Sequence, residues 1–298
     1  MYHYKGIEWL FFFYIYCMIG WVVESTYVSV KTRKLTNRGF MRGPWLPIYG
    51  SGAIVMLFCA SPFRDNILLL FISGMFGASL LEFITGMAME ALFKVRYWDY
   101  SNRKFNIMGH VCLCNSIYWG IFTVLLNMFV HVPVARMVSA IPFGILRIIT
   151  FILSVLIGVD FVLAFKTAID IRNVLVQMSR AKEEMVRIQR RMDVLIAVTA
   201  DGLGNKKDQV TQMAGNVMDT LEETFGKAKR MITGPASTLT EAAGNEIFEL
   251  RDKFLNIKAK ITGYYHSKDI NFIGAIKGNP DMVSKDYAEA LEALKKNI

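Results

Sequence analysis

Long apolar segments separated by short polar ones fill the first part of the chain. A helix that crosses the hydrocarbon core of a bilayer needs about 20 apolar residues. Spanning helices are therefore predicted at about 7–30, 44–61, 66–91, 109–130 and 143–169. The second segment is the shortest and begins with Pro44 and Pro47. This pattern predicts an all-α, polytopic membrane bundle of about five transmembrane helices within residues 1–169.

The apolar positions after this bundle follow a different period. Between 171 and 199 they recur at alternating spacings of three and four residues, which is typical of a coiled-coil seam. No Gly or Pro interrupts 170–200, so this segment is predicted to be a coiled-coil extension of the fifth helix. A second apolar run at 240–261 predicts a helical tail in 206–298. Both an antiparallel fold-back and a homo-oligomer through the 171–199 heptads satisfy the pattern.

Composition and charge separate the two parts further. The 298 residues are 53% hydrophobic with a net charge of +9, which is too apolar for an ordinary soluble domain. Residues 1–169 contain seven acidic and fourteen basic residues, whereas 170–298 contain eighteen acidic and twenty basic ones. The tail has no dense basic face to neutralise a row of phosphates, so nucleic acid is not an expected partner. The lipid bilayer is the first expected partner.

The basic residues of the bundle concentrate in two of its loops. Loop 31–42 contains five Lys or Arg and loop 94–104 contains four, whereas the other two loops offer only Arg64, beside Asp65, and Arg136. The positive-inside rule places the two basic loops in the cytoplasm. The amino terminus is therefore predicted outside and the tail inside a multi-pass cell-membrane protein.

Several ionisable or polar side chains fall within the predicted spans. A charged residue in the centre of a spanning helix costs about 2.5–3.5 kcal/mol and usually faces the interior of the bundle. In the predicted orientation these groups lie on the cytoplasmic side, and they are Glu24, Tyr49, Glu82, Glu90, Asn115 and Asp160. The sequence therefore predicts a polar, acidic cavity that opens to the cytosol.

The two basic loops add further candidates for this cavity. Asn37, Arg38 and Arg42 lie in the first loop, and Trp98 and Asp99 lie in the second. The arginines are expected either to pair with the buried acids or to anchor the protein at the membrane interface. Both interpretations remain open at the level of the sequence.

Four segments between about 20 and 130 resemble a known family: "GWVVES", "NRGFMRGPWLPIYGSG", "LEFITGMAMEALFKVRYWDYS" and "GHVCLCNSIYWG". They are similar to the bacterial membrane family named putative ABC-transporter type IV, also called CmpB-like. The C-terminal "AIKGNPDMVSKDYAEALEALK" is similar to C-terminal ends in that family. The resemblance implies a permease-like subunit in the bacterial plasma membrane. The chain contains no G-x-x-x-x-G-K-[ST] motif for ATP phosphates, so any ATPase subunit acts in trans.

Three functions fit these observations. The first is a transport-related subunit whose buried acids bind a cationic substrate or a proton, or form gating pairs. The second is a membrane-anchored scaffold or sensor that acts through its cytoplasmic tail. The third is an inner-leaflet membrane enzyme, but the sequence contains neither G-x-S-x-G nor H-E-x-x-H. No catalytic residue, cofactor or metal ligand is therefore predicted, and an enzymatic activity is not expected.

Overall fold

The computed structural model describes residues 3–200, 221–226, 241–265 and 269–298. The chain forms two compact units. The first consists of Met1–Arg172 together with Lys268–Leu291, and the second of Asn173–Ser267 with Glu292–Ile298. A segment close to the C-terminus therefore belongs to the same unit as the predicted transmembrane helices.

The first unit is a helical bundle. Its helices are α1 (Gly6–Thr32), α2 (Pro47–Ala60), α3 (Ile67–Phe93), α4 (Leu113–Leu125), α5 (His131–Ser139), the first part of α6 (Phe143–Ala200) and α8 (Ile270–Gly278). A π-helical turn, Leu126–Val130, joins α4 to α5. Four helical stretches are long and apolar enough to cross a membrane, namely Gly6–Thr32, Ile67–Phe93, Leu113–Ser139 and Phe143–Leu195. The predicted helical membrane bundle is confirmed, and the chain is a multi-pass membrane protein.

The second and fourth predicted spans differ from their expected bounds. The apolar stretch that contains α2, Pro47–Phe63, is shorter than the other four, and a crossing by α2 stays a prediction. Proline is suited to the first turn of a helix, where its missing N–H needs no partner, so the helix begins at Pro47. The fourth helix begins at Leu113 because the residues before it pair as short antiparallel strands, β1 (Asn106–Ile107) and β2 (Val111–Cys112).

Consecutive helices pack side by side, α1 on α2, α2 on α3 and α3 on α4. The buried cluster between them includes Phe12 of α1, Leu57 of α2, Trp119 of α4 and Leu146 of α6. Burying each such side chain stabilises the fold by about 1.5–3 kcal/mol in water. Within a bilayer the packing itself matters more, because lipid tails are as apolar as these side chains.

Glycines of α3 allow two close helix contacts. A methyl group on Gly74 would clash with the side chain of Thr123 on α4, and one on Gly77 would approach Cys59 on α2. Glycine at these positions lets the backbones approach closely, which is the common interface of membrane helices.

The second unit contains the remainder of α6, a helix over 221–226, α7 (Glu241–Tyr265) and part of α9 (Ala288–Asn297). The helix α6 is continuous over 143–200, and a coiled-coil pairing of 170–200 stays a prediction. Its heptad positions Met185, Ile188 and Met192 are buried in one cluster with Leu221 and Phe254. Part of the seam is therefore covered by residues of the same chain. The predicted homo-oligomer remains a prediction, as does the tail over 201–220 and 227–240, which lie outside the described residues.

Replacing Gly74 by alanine is expected to destabilise the α3/α4 contact. The added methyl group must displace Thr123, and overpacking of this kind costs about 1–3 kcal/mol. Gly158 on α6 is the matched control, because its added methyl group would meet nothing within 4 Å. Gly158→Ala is expected to be neutral or to stabilise α6 by up to about 1 kcal/mol. Thermal unfolding in detergent measures both, and equal losses would contradict this packing.

Candidate functional site

A cavity of about 520 Å³ lies within the first unit, among α1, α2, α3, α4 and α6. It is in the size range of small-molecule sites. Six of the side chains singled out in the sequence line it: Glu24, Arg38, Tyr49, Glu82, Trp98 and Asn115. Other polar residues of the lining include Tyr100, Trp119 and Asn279.

The carboxylate of Glu82 is the most deeply buried acid of the cavity, at 4% exposure. Asn115 donates its side-chain amide to both carboxylate oxygens, at 2.8 and 2.9 Å. Tyr100 donates its hydroxyl at 3.1 Å and Trp119 its indole N–H at 2.9 Å. These donors are all neutral, and in the described part of the chain no Lys, Arg or His nitrogen lies within 4.0 Å of Glu82.

Local structure explains how these donors converge on Glu82. Asn115 and Trp119 are four residues apart on α4, so their side chains lie on one face of that helix. Tyr100 comes from the loop between α3 and β1. Burial, and then the charge of Glu82, hold the pKa of Tyr100 far above its usual value. Tyr100 therefore keeps its proton and remains a hydrogen-bond donor.

Glu24 has a different environment from Glu82. Tyr49 donates its hydroxyl to Glu24 at 2.8 Å, and Arg38 Nε lies 3.5 Å from the same carboxylate. The two other guanidinium nitrogens of Arg38 donate to Asn279 Oδ1 at 3.2 Å and to the carbonyl of Tyr97 at 3.3 Å. Arg38, the only arginine among the residues that line the cavity, is thus paired with Glu24, and its two terminal nitrogens each donate a hydrogen bond.

Asn37, Arg42 and Asp160 lie outside the cavity lining and hold the first basic loop in place. Asp160 on α6 accepts hydrogen bonds from the backbone N–H groups of Arg42, at 3.3 Å, and Gly43, at 2.9 Å. Asn37 accepts from the indole N–H of Trp21 and donates to the carbonyl of Arg42, both at 2.6 Å. These hydrogen bonds position the loop and do not reach the cavity.

Glu90 and Asp99 form a second polar cluster, centred on Arg96. This arginine is buried and donates to Glu90 Oε2 at 2.7 Å and to Asp99 Oδ1 at 3.1 Å. His110 Nε2 lies 3.1 Å from the same Glu90 oxygen. The sequence reasoning paired these acids with other arginines and missed Arg96. The i, i+3 spacing of Arg96 and Asp99 was an available signal.

In this cluster the pKa values of Asp99 and His110 are both lowered, for different reasons. Partial burial opposes the ionisation of Asp99, but hydrogen bonds from Ser101 and Arg96 outweigh it and lower the pKa of the carboxyl. Burial and the neighbouring charges of Arg96 and Lys285 lower the pKa of His110, against the opposite pull of Glu90. His110 is therefore mainly neutral at neutral pH.

A segment near the C-terminus covers the end of the cavity formed by loops 33–46 and 94–112, here called the loop face. Asn279 is 1% exposed and donates to the carbonyl of Gly39 at 3.0 Å, in addition to accepting from Arg38. The backbones of Arg96 and Val283 exchange two hydrogen bonds, at 2.7 and 3.0 Å. The structure places this segment at the loop face, and the opening of the cavity to the cytosol stays a prediction.

The lining of the cavity is apolar and exposed where α3, α4 and α6 flank it. Apolar lining side chains there are exposed, namely Ile84, Leu92, Tyr118, Phe122 and Phe161, with exposed fractions between 45% and 53%. We call these five residues the apolar rim. In a helical membrane protein, exposed apolar side chains of spanning helices face lipid.

Comparison with known proteins identifies the family of the chain. The model of the family described as Putative ABC-transporter type IV matches residues 11–165. The chain belongs to this family. The match includes every residue of the cavity lining except Asn279, and it makes the protein a transport-related membrane protein. Neither the curated proteins nor the solved structures contain a match to the chain.

The site offers carboxylates but no obvious metal centre. Within the described ranges, no group of three or more His, Cys, Asp or Glu side chains is arranged to hold a metal ion. The chemistry that the cavity does provide is a buried acceptor, Glu82, beside a neutralised pair, Glu24 and Arg38.

The second polar cluster makes the stability of the protein depend on pH. The pKa of His110 is lowered in the folded state, whereas an unfolded histidine has a pKa of about 6.5. On acidification from about pH 7.5 to about pH 5.5 the unfolded state takes up a proton that the folded state resists, so stability falls. His110→Gln removes this group and should reduce the loss of Tm over that interval. His3→Gln, at an exposed position, should leave the loss unchanged, and a wild-type loss in His110→Gln would contradict the assignment.

The hydrogen bonds of Asn279 are expected to keep the C-terminal segment on the loop face. Asn279→Ala removes its contacts to Gly39 and Arg38, each worth about 0.5–3 kcal/mol. Lys277 and Lys285 are already exposed, but local opening should free the backbone beside them and accelerate trypsin cleavage after them severalfold. Asn271→Ala, at an exposed position of α8, is the control. Equal cleavage rates in the two variants would show that Asn279 does not hold the segment.

Proposed function

We propose that this chain is the membrane-spanning subunit of a transport system, that it binds a positively charged substrate beside Glu82, and that a separate chain hydrolyses ATP. The burial of Glu82 without a cationic partner is the observation that carries this proposal. Its support comes from the geometry of the cavity, from the family and from the absence of a P-loop motif in the sequence.

The contacts of Glu82 favour an ionised side chain that lacks a counter-ion. An ionised carboxylate only accepts hydrogen bonds, and all four contacts to Glu82 come from donors. A buried charge without a partner is costly in a membrane and is kept mainly where it serves function. A cationic substrate would supply the missing charge.

The remaining charges of the cavity do not replace such a substrate. Glu24 and Arg38 already pair with each other, and the other nitrogens of Arg38 are occupied. Two carboxylates and one guanidinium leave one formal negative charge in the lining. The charge balance therefore favours a cation as ligand.

The proposed ATPase subunit would act at the loop face. Positive charge concentrates in loops 33–46 and 94–112, which the positive-inside rule assigns to the cytoplasm. ATP is available on that side only. In the proposed assembly, the amino terminus lies outside and the second unit lies inside.

Gentle extraction of the full chain from its native membrane tests this assembly. We expect a stoichiometric partner with ATPase activity, identified by mass spectrometry. Glu82→Gln should leave this complex assembled, because the amide keeps the shape of the side chain, but should lower its substrate-dependent ATP hydrolysis or transport by at least about tenfold, which corresponds to about 1.4 kcal/mol.

Glu183→Gln is the matched control, because Glu183 is an exposed acid on α6. It should retain wild-type activity. Isolation of the chain alone or as a homo-oligomer would contradict the ATPase assignment and favour a scaffold or an enzyme. Full activity of Glu82→Gln in an intact complex would contradict the role of Glu82.

A further inference from the structure

The cavity has a polar interior and an apolar side. Glu82 and its donors lie at one part of the lining, and the apolar rim lies at another. Ile84 and Leu92 belong to the same helix as Glu82, with exposed fractions of 52% and 49%. A ligand in this cavity therefore meets both a carboxylate and lipid-facing side chains.

The loop face offers a less direct route to the same carboxylate. Phe93, Tyr97 and Asn279 line the cavity there and are 2%, 8% and 1% exposed. The hydrogen bonds of Asn279 to Gly39 and Arg38 hold the C-terminal segment against this end. The side with the exposed lining is the apolar rim.

From these observations we infer that the ligand is a cationic amphiphile that reaches the cavity sideways from the lipid, between α3, α4 and α6. Its positively charged head lies at Glu82 and its apolar chain lies along the apolar rim. This inference rests on the proposed function and specifies its substrate class.

The contacts of Arg38 also limit which head groups the ligand can have. Strong binding of a phosphate-bearing head uses paired hydrogen bonds from an arginine or lysine, and at Arg38 it would compete with Glu24, Asn279 and the carbonyl of Tyr97. No other Lys or Arg belongs to the cavity lining. The head expected at Glu82 is therefore an ammonium or amidinium group without an adjacent phosphate.

Quenching of tryptophan fluorescence gives a direct test, because Trp98 and Trp119 line the cavity. The full chain is placed in nanodiscs of zwitterionic lipid and titrated with a bromododecyl-trimethylammonium probe. Two matched probes accompany it: bromododecyl sulfate, which has the same chain and an anionic head, and bromoethyl-trimethylammonium, which has the same head and almost no chain. We expect saturable quenching by the first probe, with at least about tenfold weaker binding of each of the others.

Two variants locate the binding within the cavity. Glu82→Gln should weaken the cationic amphiphile at least about tenfold and leave the anionic probe unchanged. Ala88→Phe places a ring at an exposed position of the lining, beside the apolar rim, and should slow binding of the cationic amphiphile severalfold. Because Ala88 contributes nothing to the Glu82 contacts, this variant keeps the test valid even if Glu82→Gln folds poorly.

The outcomes separate this inference from the proposed function. Equal, Glu82-dependent binding of the short cation and the amphiphile would overturn the lipid route but leave a cationic substrate in place. Equal binding of the anionic and cationic amphiphiles would show partitioning into lipid only and would overturn the inference. If no cation binds in a Glu82-dependent way, both the inference and the proposed cationic substrate fail.

Discussion

The burial of one carboxylate among neutral hydrogen-bond donors is the constraint on which the rest of the structure depends. A polar group in the apolar interior of a membrane bundle must find its partners within the protein. Glu82 finds them on α4 and in the loop before β1. This requirement fixes α3 against α4 and brings Tyr100 down to the cavity.

Glu24 and Glu82, the two acids of the cavity, meet this need for partners in different ways. Glu24 is neutralised by Arg38, and Arg38 in turn links the first basic loop to Asn279 and to the backbone of Tyr97. Glu24 thus participates in a chain of contacts that organises the loop face. Glu82 instead holds α4 and Tyr100 through donors without charge, so it has no ion-pair partner in the cavity. An ion pair and an acid without a charged partner therefore lie in one cavity.

The sequence predicts much of the fold and two acids of the cavity lining, but not the partners of these acids. Apolar length and the positive-inside rule depend on local composition, so the helical bundle and the residues Glu24 and Glu82 follow from them. The pairing of Arg96 with Glu90 depends on how the chain folds after α3. Asn279 lies 241 residues from Arg38 in sequence, and no periodicity links two positions so far apart. The side on which the cavity lining is exposed could not be predicted either, because it depends on how α3, α4 and α6 pack.

A partner that binds the loop face would contact the C-terminal segment before it could affect the cavity. The loop face consists of two loops and of residues near 279–284, which are held by backbone pairing of Arg96 with Val283 and by the side chain of Asn279. Ion pairs at its surface, such as Lys94 with Asp286 at 3.5 Å, contribute little because water screens them. A partner that binds this face can therefore shift the segment at small electrostatic cost, but it must break the buried contacts of Asn279 to reach Arg38. Since Arg38 also holds Glu24, displacement of the segment would change the charge around the cavity as well as its closure.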